Sequence, residues 1–268
     1  MFRGIRDRIV QHPLVAFFLL AYLLAWIAWA PLYLSQAGLG WLPIHGSLWY
    51  TLPGSYAPLV SAAIVRGVTG RAWPWRGFRP LVSLAAYGLG LLLVVLAFVI
   101  GPSLWMTQGR LGGVDWLAFA GYPLAIARAA MMAGPIGEEP GWRGFALPLM
   151  ETRLGRVRAW LLLGALWFGW HLPLFLVPAW NGAPMWTYAA LVIGFGFVIN
   201  LCFDLSGRSL LVAIAMHATF NASSAILGRF LANAEVTSSF EPTTILAPCM
   251  LICAVVIAAV ARDKPSPP

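Results

Sequence analysis

The chain has 268 residues, of which 60% are hydrophobic and only 10% are Asp, Glu, Lys or Arg. A water-facing domain carries about 25% charged residues, so composition excludes an ordinary soluble enzyme and, with so much apolar material, a disordered chain. Seventeen basic against nine acidic residues give a net charge of +8. In so apolar a chain that excess reads as a membrane-topology signal, with lipid as partner and no nucleic acid.

A bilayer core needs about 20 apolar residues per helix. In chain order the candidate spans are 13–34, 48–65, 81–106, 116–133, 159–177, 185–203, 209–227 and 244–261. The expectation is an all-α polytopic bundle of about eight transmembrane helices, forming a single integral membrane domain over 1–268. The first stretch is too long for a cleavable signal peptide and lacks a clean cleavage site. The tail 262–268, RDKPSPP, reads as a short disordered end, and the Trp/Arg-rich loop 66–80 as a basic aromatic segment lying on headgroups. Gly88, Gly90, Gly194 and Gly196 are weak signals of close helix approach. Cys202, Cys249 and Cys253 sit in apolar runs and read as packing residues.

The positive charges test this map. Arg3, Arg6 and Arg8 precede the first stretch. Arg66, Arg71, Arg76 and Arg79 follow the second, and Arg153, Arg156 and Arg158 follow the fourth. Arg208 follows the sixth, and Arg262 and Lys264 the eighth, so 13 of the 17 fall on one side and only Arg110 and Arg229 on the other. The loops 35–47 and 178–184 carry no Lys or Arg. Cytoplasmic loops collect Lys and Arg, so both termini are expected in the cytoplasm of a bacterial or archaeal plasma membrane.

An ionisable side chain inside a membrane segment is costly and by default marks function. Arg128, Glu138, Glu139, Arg143, His171, Asp204 and His217 fall in or against apolar runs, with Asn200 and Asn221 as neutral companions. Three clusters emerge. In Glu138-Glu139-Pro140-Gly141-Trp142-Arg143, a helix puts Glu139 and Arg143 at i and i+4 on one face. Glu138 is then turned about 100° away, free for chemistry. Pro140 reads as a first-turn residue, placing the pair at a helix start; the plainer reading is an interfacial ion pair. In Trp167-Phe168-Gly169-Trp170-His171, the imidazole sits in a long apolar helix with Trp167 one turn before it and Gly169 open to a close neighbour. In His217-Ala218-Thr219-Phe220-Asn221, imidazole and amide share a face, as a catalytic pair or as a plain interhelical hydrogen-bond pair. His12 and His45 sit in loops. Neutral His is a good zinc ligand, and a carboxylate beside a polarised water is the usual general base for hydrolysis. No HExxH, GxSxG or Walker loop occurs, and Asp115 and Asp204 form no aspartyl pair.

The trio EE-x-x-x-R, aromatic-x-x-x-H and H-x-x-x-N resembles the CPBP family, which comprises type II CAAX prenyl endopeptidases and bacteriocin-processing, Abi-like membrane proteins. The resemblance covers about residues 120–230. The family usually has Phe four residues before the second-motif His, where this chain has Trp167. The resemblance implies an intramembrane metalloprotease or glutamate-type endopeptidase: a helical bundle enclosing a polar chamber that opens toward the membrane or cytoplasm. It implies Glu138 as activator of the attacking water, Glu139 as holder of Arg143, and His171 and His217 as ligands or water-positioning groups. Asn221 is the implied oxyanion stabiliser. Glu138, His171 and His217 would complete a zinc site with water, in tension with Glu138 as free base. The implied substrate is a membrane-associated peptide, of the prenylated CAAX type or carrying a leader. The alternatives are a non-proteolytic immunity or binding protein on the same scaffold, or an ion-coupled transporter.

Overall fold

The structure, a computed structural model, describes residues 2–72, 79–105, 120–180, 182–232 and 242–261. Among the described residues it is entirely helical. Helix α1 is Phe2–Gln11. Helix α2, Pro13–Tyr33, opens on a proline whose missing N–H no helical bond requires. Phe17, Ala21, Ala25, Trp29 and Leu32 recur every three to four residues and are buried, forming one face. The opposite face shows Val15, Leu19, Leu23 and Ile27, each more than half exposed. A helix whose exposed face is as apolar as its buried one is solvated by lipid.

The second stretch is not one span. It divides into a 3₁₀ turn Leu48–Tyr50, a short helix α3 Thr51–Ser55 and α4 Ala57–Thr69. Pro53, Gly54 and Pro58 crowd this segment, and the prolines remove backbone donors. At 13 residues, α4 is about 20 Å long, short of the roughly 30 Å hydrocarbon core. Helix α5 is Pro80–Trp105. The fourth stretch is also shorter than expected: α6 covers only Tyr122–Met132, and 116–119 lie outside the described residues. Next come α7 Pro135–Gly141, a π-helical turn Trp142–Ala146 and α8 Leu147–Leu154, running as one continuous helical rod. Helix α9, Arg156–Trp170, is followed by a 3₁₀ turn Leu172–Leu176. Helices α10 Met185–Leu205, α11 Leu210–Ala232 and α12 Pro242–Ala261 complete the bundle.

Pro13–Tyr33, Pro80–Ala97, Arg156–Leu176 and Met185–Leu205 are long and apolar enough to cross a membrane, and Leu210–Ser223 and Leu246–Ala261 are shorter apolar stretches. The protein is an integral membrane protein with a polytopic helical bundle. At its centre α10 packs on α12, where a Cβ at Gly194 would lie 2.6 Å from the Met250 backbone. Gly194 thus permits the approach that the sequence suggested; Gly88 faces open space. Cys202 is buried and the other two cysteines half-buried, all three free. The tail 262–268 and residues 73–78 of the 66–80 loop lie outside the described residues.

The two ends of the bundle differ. At one end Arg66 donates to the Gly144 carbonyl at 2.7 Å, while Asp204 accepts ion pairs from Arg156 and Arg208, each at 3.3 Å. Glu151 binds Arg208 and accepts from Trp160 Nε1. Asp204, a lone acid in sequence, is therefore a member of a charged network joining α8, α9, α10 and the turn between α10 and α11. Helix α2 spans from this end to the other. Phe17, near its start, packs on Phe145, and Trp29, near its finish, packs on Trp170.

Candidate active site

At the end remote from Arg66, Arg156 and Arg208 lies a cavity of about 420 Å³. Its wall includes Glu138, His171, His217 and Asn221, drawn from α7, the end of α9 and α11. Among the described lining residues Glu138 is the sole carboxylate, and there is no Lys or Arg. The rest of the wall is mostly apolar or aromatic, with Trp29, Trp167, Trp170, Trp180, Tyr188 and Phe195 prominent.

Glu138 owes its place to the start of α7. Gly134 precedes the helix with φ +97°, a left-handed conformation natural to glycine. A Cβ there would overlap Glu138 Oε1. The first-turn proline is Pro135, so Pro140 is an interior residue of α7, a correction to the sequence reading. Glu138 does lie in the first turn, where the helix dipole favours a carboxylate. Its Oε2 accepts from Trp167 Nε1 at 2.7 Å and more weakly from Trp142 Nε1 at 3.4 Å.

Glu139 and Arg143 stand behind the cavity wall. Both are at most 1% exposed. Glu139 Oε1 accepts from Arg143 Nη1 at 3.0 Å and pairs with His217 Nδ1 at 2.8 Å. Arg143 Nε donates to Asn200 Oδ1 at 3.0 Å, and its guanidinium lies 4.7 Å from the centre of the Trp167 ring. Glu139 therefore joins Arg143 to His217 as well as holding the guanidinium. That contact, between residues 78 apart in the chain, had no signal in sequence.

His171 ends α9 rather than lying within a long helix; the chain turns there into the 3₁₀ segment. Pro173 cannot continue the hydrogen-bond ladder, which accounts for the break. His171 Nδ1–H donates to the Trp167 carbonyl at 2.8 Å, leaving Nε2 as the acceptor nitrogen. Its ring stacks on Trp180 at 5.7 Å and meets Trp170 and Tyr188 edge-on. Gly169 admits Tyr22 of α2, another helix. Asn221 Nδ2 donates to the Ala133 carbonyl at 3.2 Å, beside the start of α7. Arg128 is exposed on α6, and His12 and His45 are exposed.

The zinc expectation meets a different arrangement. Among the described residues no three His, Cys, Asp or Glu side chains converge as a metal would require. Glu138, His171 and His217 share a wall, but the Trp167 ring contacts both imidazoles, and Glu138 Oε2 is taken by two indole donors. Among the described residues the set does not fit a zinc cage.

Residues 120–223 match the family described as type II CAAX prenyl endopeptidase, Rce1-like. The chain is also 27% identical over 101 residues to CAAX prenyl protease 2 of Methanococcus maripaludis, a match spanning 34% of this chain and 36% of that relative's length. The family match contains all three motifs, so the resemblance to the CPBP family holds over the segment that supplies Glu138, His171, His217 and Asn221 to the cavity.

Proposed function

We propose, from a motif-bearing segment with the Rce1-like pattern, that the protein is an intramembrane endopeptidase in which Glu138 activates the attacking water. The observation that carries this reading is the placement of the cavity's sole described carboxylate beside two imidazoles and an amide, in a wall otherwise largely apolar. Lipid supplies no water, base or oxyanion donor, so a peptidase in the membrane must build a wet pocket of its own.

The division of labour follows from the hydrogen bonds. A water between Glu138 and His171 Nε2 has an acceptor for each of its protons. Glu138 takes one proton as the water oxygen adds to the scissile carbonyl, and the same proton then passes to the leaving amine. Asn221 spends one Nδ2 hydrogen on the Ala133 carbonyl; the other is available to the tetrahedral oxyanion. His217, oriented through Nδ1 by Glu139, presents Nε2 as a further polar group. Glu139 and Arg143 position these groups without touching substrate. The substrate is a membrane-associated peptide or protein, and no nucleic acid or metal enters the scheme.

The test is cleavage of a peptide library by detergent-purified protein. Glu138→Gln keeps the shape of the side chain and removes its basicity. Cleavage is expected to fall by about 10²–10⁴-fold, the usual contribution of general acid–base catalysis, at unchanged yield and melting temperature. Retention of wild-type turnover would remove Glu138 as base. Absence of any product from the wild type, with a cellular phenotype lost in Glu138→Gln, would favour the immunity reading. Metal analysis and chelation on the same sample are expected to leave turnover unchanged.

A further inference from the structure

Helix α6, Tyr122–Met132, has no buried residue, although it leads directly into the helix that carries Glu138. Polar side chains are a usual glue between membrane helices, and here they grip α6 at both ends. At its start the Tyr122 hydroxyl lies 2.5 Å from Ser223 Oγ and 3.3 Å from the Thr219 carbonyl, both on α11. Ser223 gives its own proton to the Thr219 carbonyl at 2.8 Å, so Tyr122 is the donor to Ser223. At its finish the Met131 carbonyl accepts from the Tyr56 hydroxyl at 3.1 Å, and the Ala133 carbonyl from Asn221 Nδ2 at 3.2 Å. The Ala133 N–H is itself bonded to the Ala129 carbonyl at 3.0 Å, and the next carbonyl, that of Gly134, accepts the Glu138 N–H at 2.8 Å. One backbone corner therefore stands between the amide of Asn221 and the helix turn of Glu138.

On α11, His217 and Asn221 are four residues apart and share a face, while Thr219, two from each, lies about 200° around the helix. Thr219 is wholly buried, and its Oγ1 bonds the Tyr87 hydroxyl of α5 at 2.6 Å. His217 and Asn221 line the cavity; Thr219, Tyr87 and Tyr122 do not. Two tyrosines from two helices thus hold α11 from behind the stretch that faces the cavity. We propose that Tyr122 is a positioning residue. Through Ser223 it fixes α6 against α11 and keeps the Ala133 carbonyl within reach of one Nδ2 hydrogen of Asn221. The other hydrogen then stays turned toward the oxyanion. The catalytic half of this proposal rests on the endopeptidase reading; the hold on α6 does not. Tyr122 acts through Asn221 and not on substrate, so its effect belongs in turnover, where a displaced group is felt, rather than in binding.

The test compares Tyr122→Phe with the natural chain, alone and in an Asn221→Ala background, by peptide cleavage in detergent. The substitution strands no polar group, because Ser223 keeps its bond to the Thr219 carbonyl. In the natural background kcat should fall by about 10-fold with KM within about twofold. With Asn221 already removed, the same substitution should change kcat by less than about twofold, since the two residues act as one unit. Equal losses in both backgrounds would overturn the proposal and leave Tyr122 a structural residue only, and a change confined to KM would overturn it too. Amide hydrogen exchange reads the hold without catalysis. Residues 129–138 should exchange several-fold faster in Tyr122→Phe, while 185–203 of α10 stay as they are; unchanged exchange over 129–138 would overturn the proposal. If the natural chain cuts no peptide, the endopeptidase reading fails by itself, and exchange still decides whether Tyr122 holds α6. Should Tyr122→Phe be poorly made, Ser223→Ala removes the acceptor in its place, and the same outcomes decide.

Discussion

A phenylalanine at position 167 would keep an aromatic wall beside His171 but could not hold Glu138. In sequence the departure from the family's usual Phe reads as one ring for another. In the structure the indole N–H reaches Glu138 Oε2 at 2.7 Å, the backbone carbonyl of the same residue fixes His171 Nδ1, and the ring face receives Arg143. One residue thus orients the base, sets the tautomer of one imidazole and covers the guanidinium. Hydrogen bonds to charged groups contribute about 1.5–3 kcal/mol. Trp167→Phe removes only the N–H and is expected to lower kcat by about 10-fold with little change in KM, since the wall of the cavity remains. The carbonyl bond to His171 survives because it belongs to the backbone. Steady-state kinetics on one peptide decide it: a change confined to KM would assign Trp167 to substrate binding instead.

At the scale of elements, the informative piece is the rod α7–π–α8. Pro140 has no N–H to return to the preceding turn, and two residues later the helix widens: Leu147 N–H bonds the Trp142 carbonyl, five residues back. Such π turns occur often at functional sites. Here the turn carries Arg143 while Glu138 and Glu139 stay on the narrower part, facing cavity and core respectively. The i, i+4 pair was legible in the spacing, as were the order of the three motifs and the four stretches long and apolar enough to cross a membrane. What was not legible were features set by packing between distant segments. The Glu139–His217 contact joins residues whose chain positions carry no mutual signal, whereas the breaks in 48–65 follow from Pro53, Gly54 and Pro58 and were within reach of a closer reading. Removing one partner of a buried ion pair costs about 3–5 kcal/mol because the other charge is stranded, whereas replacing both with apolar groups is often near neutral. Arg143→Met should therefore destabilise strongly, and Glu139→Met likewise. The double variant should recover a good part of the loss, since each single change leaves a buried charge that the other removes. Thermal unfolding in detergent checks it; strictly additive losses would mean that the two groups are not coupled.

For the molecule as a whole, the division into a charged end and a cavity end separates stability from chemistry. Glu151 is 3% exposed and is held between Trp160 Nε1 and Arg208, whose other ion pair is to Asp204. Arg208 itself sits at φ +70°, a left-handed conformation uncommon outside glycine, so the network must hold that backbone against its preference. The cost of such a residue is of order 1–3 kcal/mol, and it is met by the ion pairs that fix its side chain. No residue of this network lines the cavity. Glu151→Gln keeps an acceptor for Trp160 but leaves Arg208 with a neutral neighbour in a buried setting. A loss of about 3 kcal/mol is expected, lowering the melting temperature by roughly 10 °C at the usual sensitivity for a chain of this length. Turnover per folded molecule at low temperature should stay within about twofold of wild type, because Glu138, His171 and His217 take none of their hydrogen bonds from this end. A Glu151→Gln protein with normal melting and impaired turnover would show instead that the two ends communicate, and the arginine network would then belong to the working machinery of the cavity.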